Sequence, residues 1–159
     1  MSDKIIAVTG HQCEKISDRY GLEQLFQRTF LEVEPKQVIV GMACGSDLLG
    51  GLAAIKASFP VVAVIPWAGH QESKYITECE QCQEHYQFVR HFSREVIVLN
   101  DAQEYPGPQA FHARNHYMVD NATHVLAFYD GGVRSGTAAT VKYATDTGKP
   151  IRNIYDRLV

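Results

Sequence analysis

Six short apolar runs, separated by segments of helical periodicity, constrain the fold of this chain more than any other feature. The runs cover residues 5–9, 38–42, 61–65, 96–99, 125–129 and 151–155. Each run is nearly continuous rather than alternating, which is typical of strands that are covered on both faces. The sequence therefore predicts six buried strands.

Between these runs, apolar residues recur at intervals of three and four, which predicts helices. The predicted helices cover about residues 21–33, 47–55, 75–89, 110–121 and 135–147. Strands that alternate with helices predict an α/β fold, namely a Rossmann-like, doubly wound and mostly parallel sheet with helices on both faces. In such sheets the ligand lies beyond the carboxyl ends of the strands, so the loops that leave the strands are the candidate site.

Length and composition narrow the class of protein further. A chain of 159 residues with 45% hydrophobic content is long enough for one core, so we expect a single domain over residues 1–159. The formal charge of −3 and the pI near 6.1 argue against a broad nucleic-acid surface, whereas a small anionic ligand remains compatible with them. Neither a membrane-length apolar run nor a signal peptide is evident, so we expect a cytoplasmic protein that contacts no membrane.

The stretch VLAFYDGGVRSGTAATVKYA, residues 125–144, predicts a strand, a glycine-rich loop and a helix start. Gly131, Gly132 and Gly136 permit close backbone approach, and Ser135 and Thr137 can cap the helix or donate hydroxyls to an anion. The N–H groups at such a helix start bind phosphate. The alternative interpretation is a tight turn without a ligand.

Three further predicted strands end in loops of glycine and small polar residues. These loops cover residues 9–11, 41–47 and 66–71. In a parallel sheet they would meet the loop at 130–137 at one edge, which favours a nucleotide-like pocket. Neither G-x-G-x-x-G after the first strand nor G-x-x-x-x-G-K-[ST] is found, which disfavours a dinucleotide oxidoreductase and a P-loop NTPase.

The chain resembles the SLOG superfamily over residues 5–154. The resemblance lies in these loops, in the stretch RNHYMVDNA, and in the following FYDGG and GT. Within the superfamily, the chain is most similar to the YpsA-type branch. Related branches include DprA/Smf proteins, Lonely Guy hydrolases and ligand-sensing domains of antiphage systems. The resemblance implies a Rossmann-like fold that binds a nucleotide or a nucleotide-derived molecule. Carried over by position, the implied ligand-binding residues are Thr9, Gly10, His11, Gly41, Gly45, Ser46, Asp47, Pro66, Gln71, Arg114, Asp120, Gly131, Gly132, Ser135, Gly136 and Thr137.

Two of these charged residues have more than one interpretation. Arg114 suits a bidentate phosphate clamp, and the alternative is a salt bridge with Asp120. Asp47 either contacts the ligand or caps its own helix. Arg134 would add positive charge near the site, or lie in solvent.

The resemblance does not assign a reaction. The Lonely Guy hydrolases place a catalytic Glu on the helix after the glycine loop, where this chain has Thr140, and a hydroxyl replaces a carboxylate poorly in glycosidic cleavage. Asp120, Arg114 and His11 remain the catalytic candidates. We therefore expect a domain that senses or sequesters a nucleotide-derived ligand, without a further cofactor. The alternatives are a nucleotide-processing hydrolase and a DprA-like single-stranded DNA binder.

The spacing Cys79-x-x-Cys82-x-x-His85 invites a zinc interpretation. However, Cys79 and Cys82 fall on the apolar stripe of the predicted 75–89 helix, and no second C-x-x-C accompanies them. The prediction is therefore that both cysteines pack in the core and that there is no metal site. In a cytoplasmic protein the four cysteines would stay reduced. Aromatic residues between positions 75 and 92 favour a homo-oligomer.

Overall fold

Six parallel strands form one sheet in the computed structural model, which describes residues 2–133 and 135–158. The strands are β1 (Ile5–Gly10), β2 (Gln37–Val40), β3 (Val61–Ile65), β4 (Glu95–Val98), β5 (His124–Phe128) and β6 (Ile151–Asn153). Their order across the sheet is β4-β3-β2-β1-β5-β6, and each neighbouring pair is parallel. The prediction of a parallel α/β sheet is confirmed.

Helices cover both faces of this sheet. They are α1 (Arg19–Val33), α2 (Ser46–Lys56), α3 (Lys74–Thr77), α4 (Glu80–Phe92), α5 (Gln109–Asp120) and α6 (Gly136–Asp146). Side chains alternate across β1, so Ile6 and Val8 pack in a core with α1, α2 and α4, whereas Ala7 packs in a second core with α5 and α6. The two separate cores confirm the doubly wound arrangement.

The strand order reverses beside β1, and this reversal positions the site. From β1 the chain steps outward through β2 and β3 to β4, and then returns to place β5 on the other side of β1. The register of this central pair runs from Ile6 opposite His124 to Gly10 opposite Phe128. The loops at the carboxyl ends of β1 and β5 therefore diverge and leave a crevice, the usual ligand position in sheets of this kind.

The predicted helix over residues 75–89 is two helices in the structure. α3 ends at Thr77, and α4 begins at Glu80 after the extended residue Cys79. The Cys79 Sγ accepts a hydrogen bond from the Cys82 amide at 3.3 Å and so caps α4. Apolar spacing continues across this break, which explains why periodicity alone predicts one helix.

Exposed apolar side chains lie at one edge of the sheet. Phe92, Val96 and Val98 are exposed where α4 leads into the edge strand β4, whereas Tyr86 of the same helix is fully buried. The predicted homo-oligomer is untested by this arrangement and stays a prediction. No helix among the described residues is long and apolar enough to cross a membrane.

Candidate functional site

A cavity of about 440 Å³ lies at the crevice between β1 and β5. Its lining comes from the exit of β1, the loop before α2 and the start of that helix, one face of α5, and the first turn of α6. Half of the predicted ligand-binding residues line it, namely Thr9, Gly10, His11, Asp47, Arg114, Ser135, Gly136 and Thr137. A volume of this size is in the usual range for small-molecule sites.

Arg114 supplies the buried positive charge of the cavity. Its Nη1 donates to the carbonyl oxygen of Gly41 at 3.0 Å, and its Nε donates to Asn115 Oδ1 at 3.1 Å. Nη2 has no hydrogen-bond partner among the described residues. Since Arg114 is only 6% exposed and lines the cavity, the guanidinium offers N–H donors to a ligand there.

Asp47 is the buried negative charge beside this arginine. A Cβ built on Gly41 would lie 2.8 Å from Asp47 Oδ2 and 2.9 Å from Arg114 Nε, so both groups reach the same point. Burial raises the pKa of Asp47, and the Arg114 charge and the Ala43 amide, which donates to Oδ2 at 3.2 Å, oppose this rise. Burial likewise lowers the pKa of Arg114, and Asp47 opposes that shift. The structure therefore combines the two predicted charges in one buried network.

The loop after β1 is fixed to the start of α2. Ser46 donates to the His11 carbonyl oxygen through its amide at 3.1 Å and through its hydroxyl at 2.8 Å. Gly45 precedes this helix with φ +106°, and a Cβ there would lie 2.7 Å from the same carbonyl oxygen. Only glycine meets both requirements, because the conformation and the close approach each exclude a side chain. Gly45 and Ser46 thus support the cavity without lining it.

The His11 side chain links the first loop to the loop after β5. The Asp130 amide lies 2.9 Å from His11 Nε2, and Asp130 Oδ1 lies 3.1 Å from the same nitrogen. The Gly132 amide donates to Asp130 Oδ1 at 2.9 Å and holds the pKa of that carboxyl below its usual range. His11 is 4% exposed, so it positions this loop as well as lining the cavity.

The first turn of α6 forms the wall opposite these loops. Ser135 caps the helix by accepting a hydrogen bond from the Ala138 amide at 3.0 Å. Thr140 lines the cavity, and its hydroxyl donates to the Gly136 carbonyl oxygen at 2.9 Å. Among the described residues, no atom other than those of the two chain neighbours and the backbone of α6 itself lies within 4 Å of a Cβ built on Gly136. There is consequently open space at the point where the sequence predicts a phosphate.

The other predicted residues lie away from the cavity. On the outer side of α5, Asp120 accepts a hydrogen bond from the Tyr143 hydroxyl at 2.7 Å. Gln71 accepts one from Arg90 at 3.4 Å, and Pro66 is buried after β3. Gly131 and Gly132 are exposed in the loop after β5. Arg134 lies outside the described residues.

An aromatic cluster, Trp67, Tyr75, Tyr105 and Phe111, backs the cavity and is missed by the sequence reasoning. Phe111 and Tyr75 line the cavity. The Trp67 ring lies behind them, 5.4 Å from the Phe111 ring and 6.0 Å from the Tyr75 ring. Along α5 the residues Phe111, Arg114 and Met118 line the cavity at helical spacing, so this periodicity is the signal that could have identified the wall.

The fold and the cavity define a SLOG-type Rossmann-like domain with a ligand-sized site at the strand reversal. The chain belongs to the DNA recombination-mediator protein A family, whose sequence profile matches residues 2–158. The SLOG prediction is thereby confirmed, whereas the YpsA-type branch stays a prediction. No curated protein matches the sequence.

Three solved structures show the same fold at low identity. The first is DNA processing protein A (DprA) from Streptococcus pneumoniae, with 22% identity and a TM-score of 0.66 over 98% of this chain and 53% of that chain. The second is a molybdenum cofactor binding protein from Rippkaea orientalis, with 21% identity and a TM-score of 0.61 over 95% and 76%.

The third is DNA processing protein A from Helicobacter pylori, a structure described for its single-stranded DNA binding mode. It has 15% identity and a TM-score of 0.65 over 93% of this chain and 64% of that chain. The present chain spans about half the length of the pneumococcal protein. The family gives no support to the prediction that nucleic acid is not a partner.

Proposed function

We propose that this chain binds a phosphate-bearing, nucleotide-derived small molecule in the cavity between β1 and β5, as a sensing or sequestering domain. The observation that carries the proposal is Arg114, a buried guanidinium whose Nη2 lacks a partner among the described residues and which lines the cavity. A buried arginine with free donors in a ligand-sized space suits a phosphate, because charge-assisted hydrogen bonds to phosphate are strong and directional.

The first turn of α6 supplies a second set of donors. The leading N–H groups of a helix have no intrahelical partners and carry positive partial charge. Gly136 and Thr137 both line the cavity, and the space above Gly136 is open. A phosphate could therefore contact these amides and Arg114 together, with the base or sugar toward Phe111.

Binding without hydrolysis is the favoured function, because the acidic residues that line the cavity are poorly placed for catalysis. Among the described lining residues these are Glu14 and Asp47. Asp47 is engaged by the Ala43 amide and lies beside the Arg114 charge, and Glu14 is exposed on the short turn after β1, so neither is held in place to attack a glycosidic carbon. Thr140 stands on the helix where related hydrolases have Glu, and its hydroxyl donates to a backbone carbonyl. The ligand should leave the cavity intact.

The test compares each phosphate compound with its phosphate-free counterpart. Purified protein is heated with AMP, ADP, ADP-ribose, NAD and cyclic nucleotides, and separately with adenosine, and its unfolding is followed by circular dichroism. The proposal predicts that at least one phosphate compound raises the unfolding temperature and that adenosine does not. Chromatography of the incubated compound should show it unchanged, whereas release of base or phosphate would establish the hydrolase alternative.

Variants then assign the effect to the cavity. Arg114→Lys should weaken binding of the stabilising compound by about 2 kcal/mol, because a point charge replaces the planar fork of donors. Arg28→Gln is the matched control, since Arg28 is exposed on α1 and does not line the cavity. Equal affinity in wild type and Arg114→Lys, or no stabilisation by any phosphate compound, would refute the proposed function.

Single-stranded DNA is the second candidate, because family membership favours it. The test is a gel mobility shift with an oligo(dT) probe at several salt concentrations. Binding through the phosphate backbone would weaken steeply as salt rises. Because Gly136→Val would fill the cavity without changing surface charge, loss of nucleotide binding with unchanged DNA binding would place the two ligands on different surfaces.

A further inference from the structure

All four cysteines of the chain converge beside the cavity, although they come from three separate segments. Cys13 lies in a short turn after β1, and Cys44 lies in the loop before α2. Cys79 caps α4, and Cys82 is in its first turn. All four are free cysteines. Chain topology, rather than local spacing, brings these thiols together.

The distances between the sulfur atoms suit a single metal ion. The Sγ atoms of Cys13, Cys79 and Cys82 all lie within 4.8 Å of one another, and those of Cys13 and Cys82 are 3.3 Å apart. In a tetrahedral zinc site with Zn–S bonds of about 2.3 Å, neighbouring sulfurs are about 3.8 Å apart. Small side-chain rotations would therefore bring the three sulfurs into coordination distance of one ion.

Cys44 lies beside these three thiols. Its side chain interacts with those of Cys13 and Cys82, but its Sγ is not among the three that all lie within 4.8 Å of one another. The Cys44 Sγ donates to the Tyr75 carbonyl oxygen at 3.3 Å, so the side chain would have to rotate to reach the ion. Clustered thiolates are typical ligands of zinc and of iron bound to sulfur.

Two N–H donors already point to Cys79, as expected around an anionic sulfur. The Cys82 amide donates to its Sγ at 3.3 Å, and Arg19 Nη1 donates at 3.7 Å. Such outer contacts orient metal ligands and offset the negative charge of several thiolates. The arginine comes from α1, so a second helix besides α4 contributes to the surroundings of the cluster.

Simple packing and a disulfide both explain less of this arrangement. Cys13, Cys44 and Cys79 pack against the hydrophobic core but are only half-buried, so core packing alone does not account for their convergence. A disulfide would use only two of the three thiols that lie within 4.8 Å of one another. The sequence-based prediction of no metal site considered Cys79 and Cys82 with His85, and could not include two cysteines that are more than 30 residues away along the chain.

We propose that Cys13, Cys79 and Cys82 bind one zinc ion, and that rotation of the Cys44 side chain supplies the fourth thiolate of a tetrahedral site. The site would join the loop after β1, the loop before α2 and the start of α4. Gln12, Glu14 and Ala43, the neighbours of two ligands in sequence, line the ligand cavity. The zinc ion would thus hold two walls of the cavity in register, and this role does not depend on which ligand the cavity takes.

The first measurement is metal content and cobalt substitution of the intact wild-type protein. Protein is purified without a histidine tag, and zinc per chain is measured by inductively coupled plasma mass spectrometry. We expect about one zinc per chain. After zinc removal and addition of Co²⁺, we expect the absorption bands of tetrahedral cobalt bound to thiolates, which do not depend on any variant folding.

Variants identify the ligands. Loss of a hydrogen-bond partner of a metal ligand costs about 10- to 100-fold in metal affinity. Loss of a ligand itself should cost at least as much, so Cys13→Ser and Cys82→Ser should each lower the zinc affinity by more than about tenfold. Glu80→Gln is the matched control, because Glu80 is exposed between Cys79 and Cys82 and carries no thiol. The proposal is overturned if the fully reduced protein contains no zinc and gives no cobalt–thiolate bands.

Discussion

Replacing Arg114 by Gln should destabilise the protein strongly, because it leaves a buried carboxylate without its balancing charge. The substitution removes the hydrogen bond to the Gly41 carbonyl oxygen, worth about 1 kcal/mol. It also leaves Asp47 buried without a nearby cation, and leaving a buried charge uncompensated costs about 3 kcal/mol. The expected loss of unfolding free energy is about 4 kcal/mol near neutral pH.

The pH dependence of this loss is a second signature of the same network. Burial raises the pKa of Asp47 in the folded protein, so its protonated form favours folding and that contribution is lost as pH rises through the folded pKa. Without the Arg114 charge this pKa rises further. The deficit of Arg114→Gln should therefore be smaller at about pH 5 than at about pH 8.

The assay is urea unfolding followed by circular dichroism, for wild type, Arg114→Gln, Asp47→Asn and the double variant. If the charges interact, the double variant is more stable than the sum of the single losses predicts, by about 1–3 kcal/mol. Arg28→Gln serves as the exposed control and should change stability by less than about 0.5 kcal/mol. Additive losses that do not vary with pH would refute the reasoning.

Three further predictions concern the cavity and its support. Gly136→Val should abolish stabilisation by phosphate compounds but leave the unfolding free energy without ligand nearly unchanged, because its Cβ meets open space. The control is Ala139→Val, at an exposed position of the same helix. Gly69→Ala should cost about 3 kcal/mol in urea unfolding, because a Cβ would lie 1.8 Å from the Gln103 carbonyl oxygen; a loss below about 1 kcal/mol would contradict this. Burial lowers the pKa of His70 to about 3, so its neutral form stabilises the fold above about pH 6.5 and that stability is lost as pH falls. The unfolding free energy of His70→Gln should therefore fall less steeply with acid pH than that of wild type. Equal slopes for the two proteins would contradict this prediction.

The sequence predicts the sheet well because continuous apolar runs depend on local composition. All six runs overlap observed strands, and the reversal of strand order places the predicted loop at 9–11 and residues 135–137 of the predicted loop at 130–137 in one cavity. Long-range contacts are beyond such reasoning. Arg114 and Asp120 lie on the same predicted helix and both are expected at the ligand, but the helix turn between them leaves Asp120 exposed beside Tyr143, away from the cavity.

The cysteines show the same limit more sharply. Periodicity joined Cys79 and Cys82 into one apolar stripe, because the break at residue 79 does not disturb the spacing of apolar residues. Cys13 and Cys44 gave no signal, since isolated cysteines in loops have no period. Only the packing of separate segments against one another places Cys13 beside Cys79 and Cys82, with Cys44 next to them.

The position of Trp67 gives the protein an internal optical reporter. It is the only tryptophan in the chain, it is fully buried, and its Nε1–H has no hydrogen-bond partner among the described residues. Indole emission therefore comes from one dry site, which lies against the Phe111 and Tyr75 rings that line the cavity. Any ligand that moves those rings should change the emission, so occupancy could be followed in real time on unlabelled, unmodified protein.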